Sequence, residues 1–243
     1  MFDEPIETAN DSAVRLSLSS PSVLSADLVK KVSAALDRAE DLGPQVHVEL
    51  EIRGAEQDSD AMTWPGATDV TVVNKWEQLL RRIERMETMS AVSVHGRCSA
   101  EALELLLVAD HRAVTADTRI HLSTENHDVW PSMALHRLCH QLGLAKARRL
   151  VLFGGVLGGE QLHQWGVVDR ITAGPASFDL REWGLSASAP SDLPMRRRLL
   201  QDAFDSSFDE AFGSHLAACD RTLKRTASRQ AVAELRADEV DAA

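Results

Sequence analysis

Apolar positions in about the first 170 residues follow strand and helix periods in turn. From Val46 to Ile52, apolar and polar side chains alternate, which predicts a half-buried strand. After Ser25, a suitable N-cap, and again from Val72 to Met86, apolar side chains recur at helical spacing, which predicts two amphipathic helices. The other predicted elements are strands at 13–18, 91–94, 113–115, 119–122 and 167–171, and helices at 99–110, 131–142, 145–153 and 159–165.

This interleaving of strands and helices predicts an α/β domain. From Pro194 onward the pattern is helical throughout. Residues 54–70 form a long, turn-rich stretch, and loops of that length in compact domains are usually functional or mobile. We divide the chain into an N-terminal segment (1–12), a core (13–180), a helical region (181–235) and a tail (236–243).

The acidic charge balance limits the partners of the protein. Among 243 residues, 26 are Lys or Arg and 37 are Asp or Glu, which gives a net charge of −11. This charge argues against nucleic acid and against anionic membranes as partners. Three cysteines without disulfide spacing, an acidic N-terminus without a secretory signal and the lack of a bilayer-length apolar run predict a cytoplasmic location.

Glu104 is the most informative single residue. It lies within ALELLLVA (102–109), which is apolar on nearly all sides, as in a buried helix. A carboxylate in such a helix is costly unless it is paired, hydrogen-bonded or facing a cavity. The sequence leaves open a catalytic acid or base, a structural ion pair and a position at a wet edge.

The start of the same helix suits an oxyanion. A strand, a turn at Gly96 and a helix N-terminus expose backbone N–H groups at the positive end of the helix dipole. Such donors stabilise a developing negative charge. Glu101 lies one turn before Glu104 on the same face. Its carboxylate either belongs to a site or only complements the helix dipole.

A loop before a later helix forms a second polar cluster. Glu125, His127 and Asp128 lie together, followed by Trp130 and Pro131. Pro at the first turn is typical of a helix start, so the segment is either a capped helix start or part of a site.

Two helical groups have weaker signals. His136 and His140 have helical spacing with Cys139 between them, but no obvious third ligand is present, which favours surface histidines over a metal site. Arg196, Arg197 and Arg198 form a basic run that is either a solvated helix face or a contact for phosphate. No GxGxxG dinucleotide motif and no GxSxG motif is present.

Two blocks resemble the enoyl-CoA hydratase/isomerase (crotonase) superfamily. Residues 90–116, SAVSVHGRCSAEALELLLVADHRAVTA, are similar to its strand–glycine–helix block, and 147–171, ARRLVLFGGVLGGEQLHQWGVVDRI, to a later block. The resemblance implies a ClpP-like spiral of β-β-α units closed by C-terminal helices. It also implies a homotrimer or hexamer, an acyl-CoA substrate and no further cofactor. Arg196 and Arg197 are the candidates for contact with the CoA phosphates.

The resemblance assigns roles to individual residues. Glu104 falls on the first catalytic glutamate of hydratases. Glu101 falls on a glycine whose backbone N–H forms half of the oxyanion hole, and the N–H of Ala67 or Thr68 would form the other half.

Two departures from the family pattern argue against ordinary hydratase chemistry. The second catalytic glutamate falls on Thr124, so help with removing water would come from Glu125, Asp128 or His127. Glu101 replaces a glycine, and its carboxylate would repel an oxyanion unless it points away or is protonated. We therefore expect a lyase that is weak on simple enoyl-CoA substrates.

Four further segments narrow the resemblance. TWPGATDV, VNKWEQLLRRIER, WPSMALHRL and SHLAACDR resemble the DpgB family of 3,5-dihydroxyphenylglycine biosynthesis, an antibiotic pathway. That family works beside a type III polyketide synthase and related crotonase enzymes. The resemblance implies assistance in dehydration and aromatisation to 3,5-dihydroxyphenylacetyl-CoA. The alternatives are a generic enoyl-CoA hydratase or isomerase and a non-catalytic partner of the synthase.

Overall fold

The computed structural model of the protein separates the chain into two units, Met1–Pro190 and Ser191–Ala243. The first unit contains both sheets, and the second contains two helices. Across the described ranges, every helix is too short or too polar to span a lipid bilayer. The structure describes residues 8–10, 13–20, 22–55, 64–122, 130–174 and 192–241.

The main sheet has the strand order β1-β2-β3-β4-β6-β9, and all pairs except β1–β2 are parallel. Leu50 pairs with Leu16 on one side and Val92 on the other, and all three side chains are buried. The strands are β1 (Thr8–Asn10), β2 (Ala13–Ser19), β3 (His47–Arg53), β4 (Met89–His95), β6 (His111–Thr115) and β9 (Arg170–Thr172).

A smaller sheet has the order β5-β7-β8. Its strands are β5 (Arg97–Cys98), β7 (Arg119–His121) and β8 (Val156–Gly158). The chain passes from β4 to β5 through a corner at Gly96, whose φ is +74°, a left-handed conformation that favours glycine. At this corner the backbone of Arg97 packs closely against Gly54, so a Cβ on Gly54 would lie 2.5 Å from the backbone nitrogen of Arg97.

Among the described residues, the first unit contains six helices and the second contains two. Ser25 caps α1 by accepting a hydrogen bond from the Leu28 backbone N–H at 3.2 Å, as the sequence predicts. The first-unit helices are α1 (Ala26–Leu42), α2 (Val70–Ile83), α3 (Ala100–Val108), α4 (Ala134–Leu142), α5 (Leu144–Phe153) and α6 (Gly159–Gln164). The second-unit helices are α7 (Leu193–Asp205) and α8 (Phe208–Asp241).

Two predicted boundaries are wrong. Helix α4 begins at Ala134 rather than at Pro131, because the Ser132 hydroxyl accepts a hydrogen bond from the Ala134 backbone N–H and forms a turn first. The last strand begins at Arg170 rather than at Val167, because the backbone N–H of Val167 instead donates to the Leu162 carbonyl at the end of α6. The short strands β1, β5 and β8 lack a periodic signal in the sequence.

Candidate active site

Glu104 is buried inside the protein and accepts a hydrogen bond from Trp76. It lies on α3, where every side chain from Glu101 to Val108 is buried, and is itself 1% exposed. The indole N–H of Trp76 on α2 donates to Oε2 of Glu104 at 2.7 Å. Its Oε1 has no hydrogen-bond partner among the described residues. Glu104 therefore does not lie at a wet edge, and no described basic side chain forms an ion pair with it.

The surroundings of Glu104 favour its protonated form. Burial, above all, raises the pKa of Glu104 to about 7, and the nearby charges of Glu77 and Glu101 act in the same direction. The polar groups of Ser132 and Trp76 oppose this rise. A carboxyl group with a pKa near 7 is present in both forms at neutral pH, so it can accept and return a proton.

A small cavity of about 20 Å³ lies beside Glu104. Its walls are mostly apolar and include Leu103, Leu122 and Trp130, whereas Ser132 adds a hydroxyl. That volume accommodates about one water molecule or one small polar substituent. It is much smaller than a typical ligand pocket of about 300–1,000 Å³, so it suits a reacting group rather than a whole acyl chain.

Charged groups fix one wall of this cavity. Arg137 on α4 forms ion pairs with Glu77 and Glu84 of the α2 region at 3.1 and 2.7 Å. The backbone N–H of Met133 also donates to Glu77 at 3.2 Å. Because Ser132 immediately precedes Met133, this network holds the start of α4 in place beside Glu104.

The Glu101 side chain is not part of the described cavity lining. Its carboxylate accepts hydrogen bonds from the hydroxyls of Ser20 and Ser99 and, at 3.3 Å, from the Ser22 backbone N–H. Burial raises the pKa of Glu101, while these bonds and its own backbone N–H oppose the rise. The carboxylate thus lies close to the N–H group that the oxyanion hypothesis requires.

The loop before α2 carries the second predicted oxyanion donor. The described hydrogen bonds include none donated by the backbone N–H of Ala67 or of Thr68. Trp64, in the same loop, packs edge-on against Trp76, with ring centroids 5.5 Å apart and an interplanar angle of 64°. The loop therefore contacts the same indole ring that binds Glu104.

The remaining predicted site residues fall into two groups. Thr124, Glu125, His127 and Asp128 lie outside the described residues. In the second unit, two guanidinium nitrogens of Arg196 donate to Asp192 and Arg197 is buried.

The histidines of α4 form a ring contact. The rings of His136 and His140 lie 4.2 Å apart between centroids. Within the described ranges, no group of three or more His, Cys, Asp and Glu side chains is arranged to hold a metal ion.

Sequence reasoning did not assign Trp76, Trp64 or Ser132 to the site. The sequence pattern predicts Trp76 only as part of the apolar stripe of α2. The available signal was chemical, because a buried Trp usually needs a partner for its indole N–H. The identity of that partner depends on how α2 packs against α3.

Comparison with known proteins establishes the family. The family model for enoyl-CoA hydratase/isomerase matches residues 53–236. A protein of Amycolatopsis orientalis described as enoyl-CoA-hydratase is 34% identical over 209 residues, which cover 84% of this chain and 93% of the relative. The chain belongs to the enoyl-CoA hydratase/isomerase family, whose members act on acyl-CoA.

Solved structures show the same fold. An enoyl-CoA hydratase/isomerase from Marinobacter aquaeolei has a TM-score of 0.69 at 14% identity, covering 90% of this chain and 91% of that one. A Thermobifida fusca YX protein in complex with CoA, described as an enoyl-CoA hydratase, has a TM-score of 0.67 at 16% identity, covering 91% and 93%. The predicted crotonase fold is confirmed.

Proposed function

We propose that the protein assists a type III polyketide synthase by promoting dehydration and aromatisation of a CoA thioester to 3,5-dihydroxyphenylacetyl-CoA. The supporting observation is the location of the DpgB-like segments. TWPGATDV contributes Trp64, VNKWEQLLRRIER contributes Trp76, and WPSMALHRL contributes Ser132. Two of the four segments thus contribute groups next to Glu104, and a third packs against Trp76, the residue that binds it.

In this proposal, Glu104 acts as the general acid and base. Its carboxylate takes a proton from the carbon next to the thioester carbonyl, and an enolate forms. The backbone N–H groups of Glu101 and of Ala67 or Thr68 stabilise the enolate oxygen. A ring hydroxyl then leaves with a proton as water, which creates the new double bond. Glu125, Asp128 and His127 are proposed to assist that departure.

The proton transfers of this reaction use one positioned carboxyl group, and Glu125, Asp128 and His127 only assist the departure of water. Loss of water from a cyclised polyketide is favoured because the product is aromatic. The cavity beside Glu104 holds one hydroxyl-sized group, and the pKa of about 7 lets the carboxyl both accept and donate a proton. Hydration of an unactivated enoyl-CoA lacks that driving force and requires a second group to activate water.

We further propose that Arg196 and Arg197 contact the CoA phosphates and that no other cofactor is needed. The proposed homotrimer or hexamer would use the C-terminal helices. In support, the second unit exposes large apolar side chains at intervals of four residues: Leu200, Phe204, Phe208, Phe212 and Leu216.

Product analysis of a type III synthase tests this function. The synthase is incubated with malonyl-CoA alone, with the protein, and with its Glu104→Gln variant. We expect the intact protein to raise the yield of 3,5-dihydroxyphenylacetyl product and Glu104→Gln to remove most of that gain. The matched control is Glu160→Gln, an exposed acid in the first turn of α6. Equal yields with both variants would favour a non-catalytic partner.

A further inference from the structure

The indole ring of Trp76 has a fixed orientation. Trp76 is 1% exposed and Trp64 is 3% exposed, and the edge-on contact between them restrains rotation of either ring. An indole has one donor, and that of Trp76 is used by Oε2 of Glu104 at 2.7 Å. One carboxylate oxygen is therefore committed, while Oε1 has no partner among the described residues.

We propose that Trp76 is a positioning residue for Glu104: its indole N–H holds Oε2 and leaves Oε1 for proton transfer, while Trp64 locks the ring and connects it to the loop of Ala67 and Thr68. The arrangement joins Glu104, the two tryptophan rings and the loop that contains Ala67. Because Trp64 lies three residues before Ala67, one pair of rings contacts both the acid–base group and the loop with the oxyanion donor.

The Trp76 hydrogen bond also counteracts the electrostatics of the site. On α2, Glu77 repels the ionised form of Glu104, although Arg137 on α4 partly neutralises it at 3.1 Å. On α3, Glu101 repels it as well. A donor fixed on the carboxylate favours ionisation against both charges. The Ser132 side chain favours ionisation as well, so Trp76 acts together with Ser132 to keep Glu104 available as a base at neutral pH.

The catalytic part of this inference rests on the proposed function, but the hydrogen bond can be measured without substrate. We propose carbon-13 NMR titration of protein labelled at the glutamate carboxyl carbons, with the Glu104 signal assigned by its loss in Glu104→Gln. Trp76→Phe should shift the midpoint of that signal upward by about one to two pH units, the effect expected for losing a hydrogen bond to a charged group. Trp165→Phe, at the half-buried end of α6, should leave it unchanged.

A second measurement uses the protein with all its tryptophans and remains valid if Trp76→Phe does not fold. Among the five indole N–H proton signals, one should titrate with the same midpoint as Glu104 and lose that pH dependence in Glu104→Gln. An unshifted carboxyl midpoint in folded Trp76→Phe, or indole signals that Glu104→Gln leaves unaffected, would overturn the positioning role. The expected shift without any effect of the protein on synthase products would instead contradict only the proposed function.

Discussion

The hydroxyl of Ser20, just after β2, donates a hydrogen bond to the buried carboxylate of Glu101 in the first turn of α3. The two residues are 81 positions apart in the chain, so the contact joins the main sheet to the helix that carries Glu104. It explains how this protein accommodates a carboxylate at a position where the family resemblance places a glycine. Ser99 supplies a second hydroxyl to the same carboxylate.

Removing the Glu101 carboxyl should destabilise the protein. Glu101→Ala leaves the Ser20 and Ser99 hydroxyls without their acceptor, which costs about 1–3 kcal/mol in the free energy of unfolding. Glu101→Gln keeps an acceptor and should cost less. Urea unfolding followed by circular dichroism measures both. The exposed Glu160→Gln should change stability by less than about 0.5 kcal/mol. Equal losses for Ala and Gln at position 101 would contradict the role of these hydrogen bonds.

The ionisation of Glu104 should reduce stability as pH rises. The ordinary pKa is 4.5 and the folded-state pKa is about 7, so the folded protein binds the proton more tightly than the unfolded chain. The loss of stability caused by ionising Glu104 is absent below about pH 4.5 and complete above about pH 7. Glu104→Gln should therefore gain stability relative to the parent protein across this window, by up to about 3 kcal/mol. Urea unfolding of both proteins at the two ends of this pH window measures the difference in stability. A difference that does not change with pH would refute the prediction.

Hydration of crotonyl-CoA should be very slow. The family resemblance places Thr124 where hydratases have their second glutamate, and a missing acid–base group costs about 10²–10⁴-fold. Loss of enoyl absorbance measures the rate. Turnover above about 10 per second, the median for enzymes, would mean that Glu125 or a neighbour activates the water instead.

Activity should survive removal of metal ions. The described ranges contain no cluster arranged to hold a metal, and the proposed steps use only carboxyl and backbone N–H groups. The protein is treated exhaustively with EDTA, the chelator is removed, and the synthase assay is then run. The yield should be the same as with untreated protein. A lower yield restored by zinc would instead point to His136, Cys139 and His140.

The fold could be predicted because its signals are local. The alternation of β3, the Ser25 cap and the apolar α3 are each visible within a few residues. The chemical environment of Glu104 could be predicted only in part. Burial follows from the neighbouring leucines, but the choice of Trp76 as partner depends on contact between α2 and α3. The Ser20–Glu101 contact depends on tertiary packing for the same reason.

In the proposed function, Glu104 moves a proton next to a thioester carbonyl. Deuterium uptake at the carbon next to the carbonyl of phenylacetyl-CoA, followed in D₂O by mass spectrometry, measures that step without the synthase. We predict that the protein accelerates uptake and that Glu104→Gln, folded by circular dichroism, slows the accelerated rate about 10²–10⁴-fold. An equal rate of uptake with the folded Glu104→Gln variant would contradict the claim.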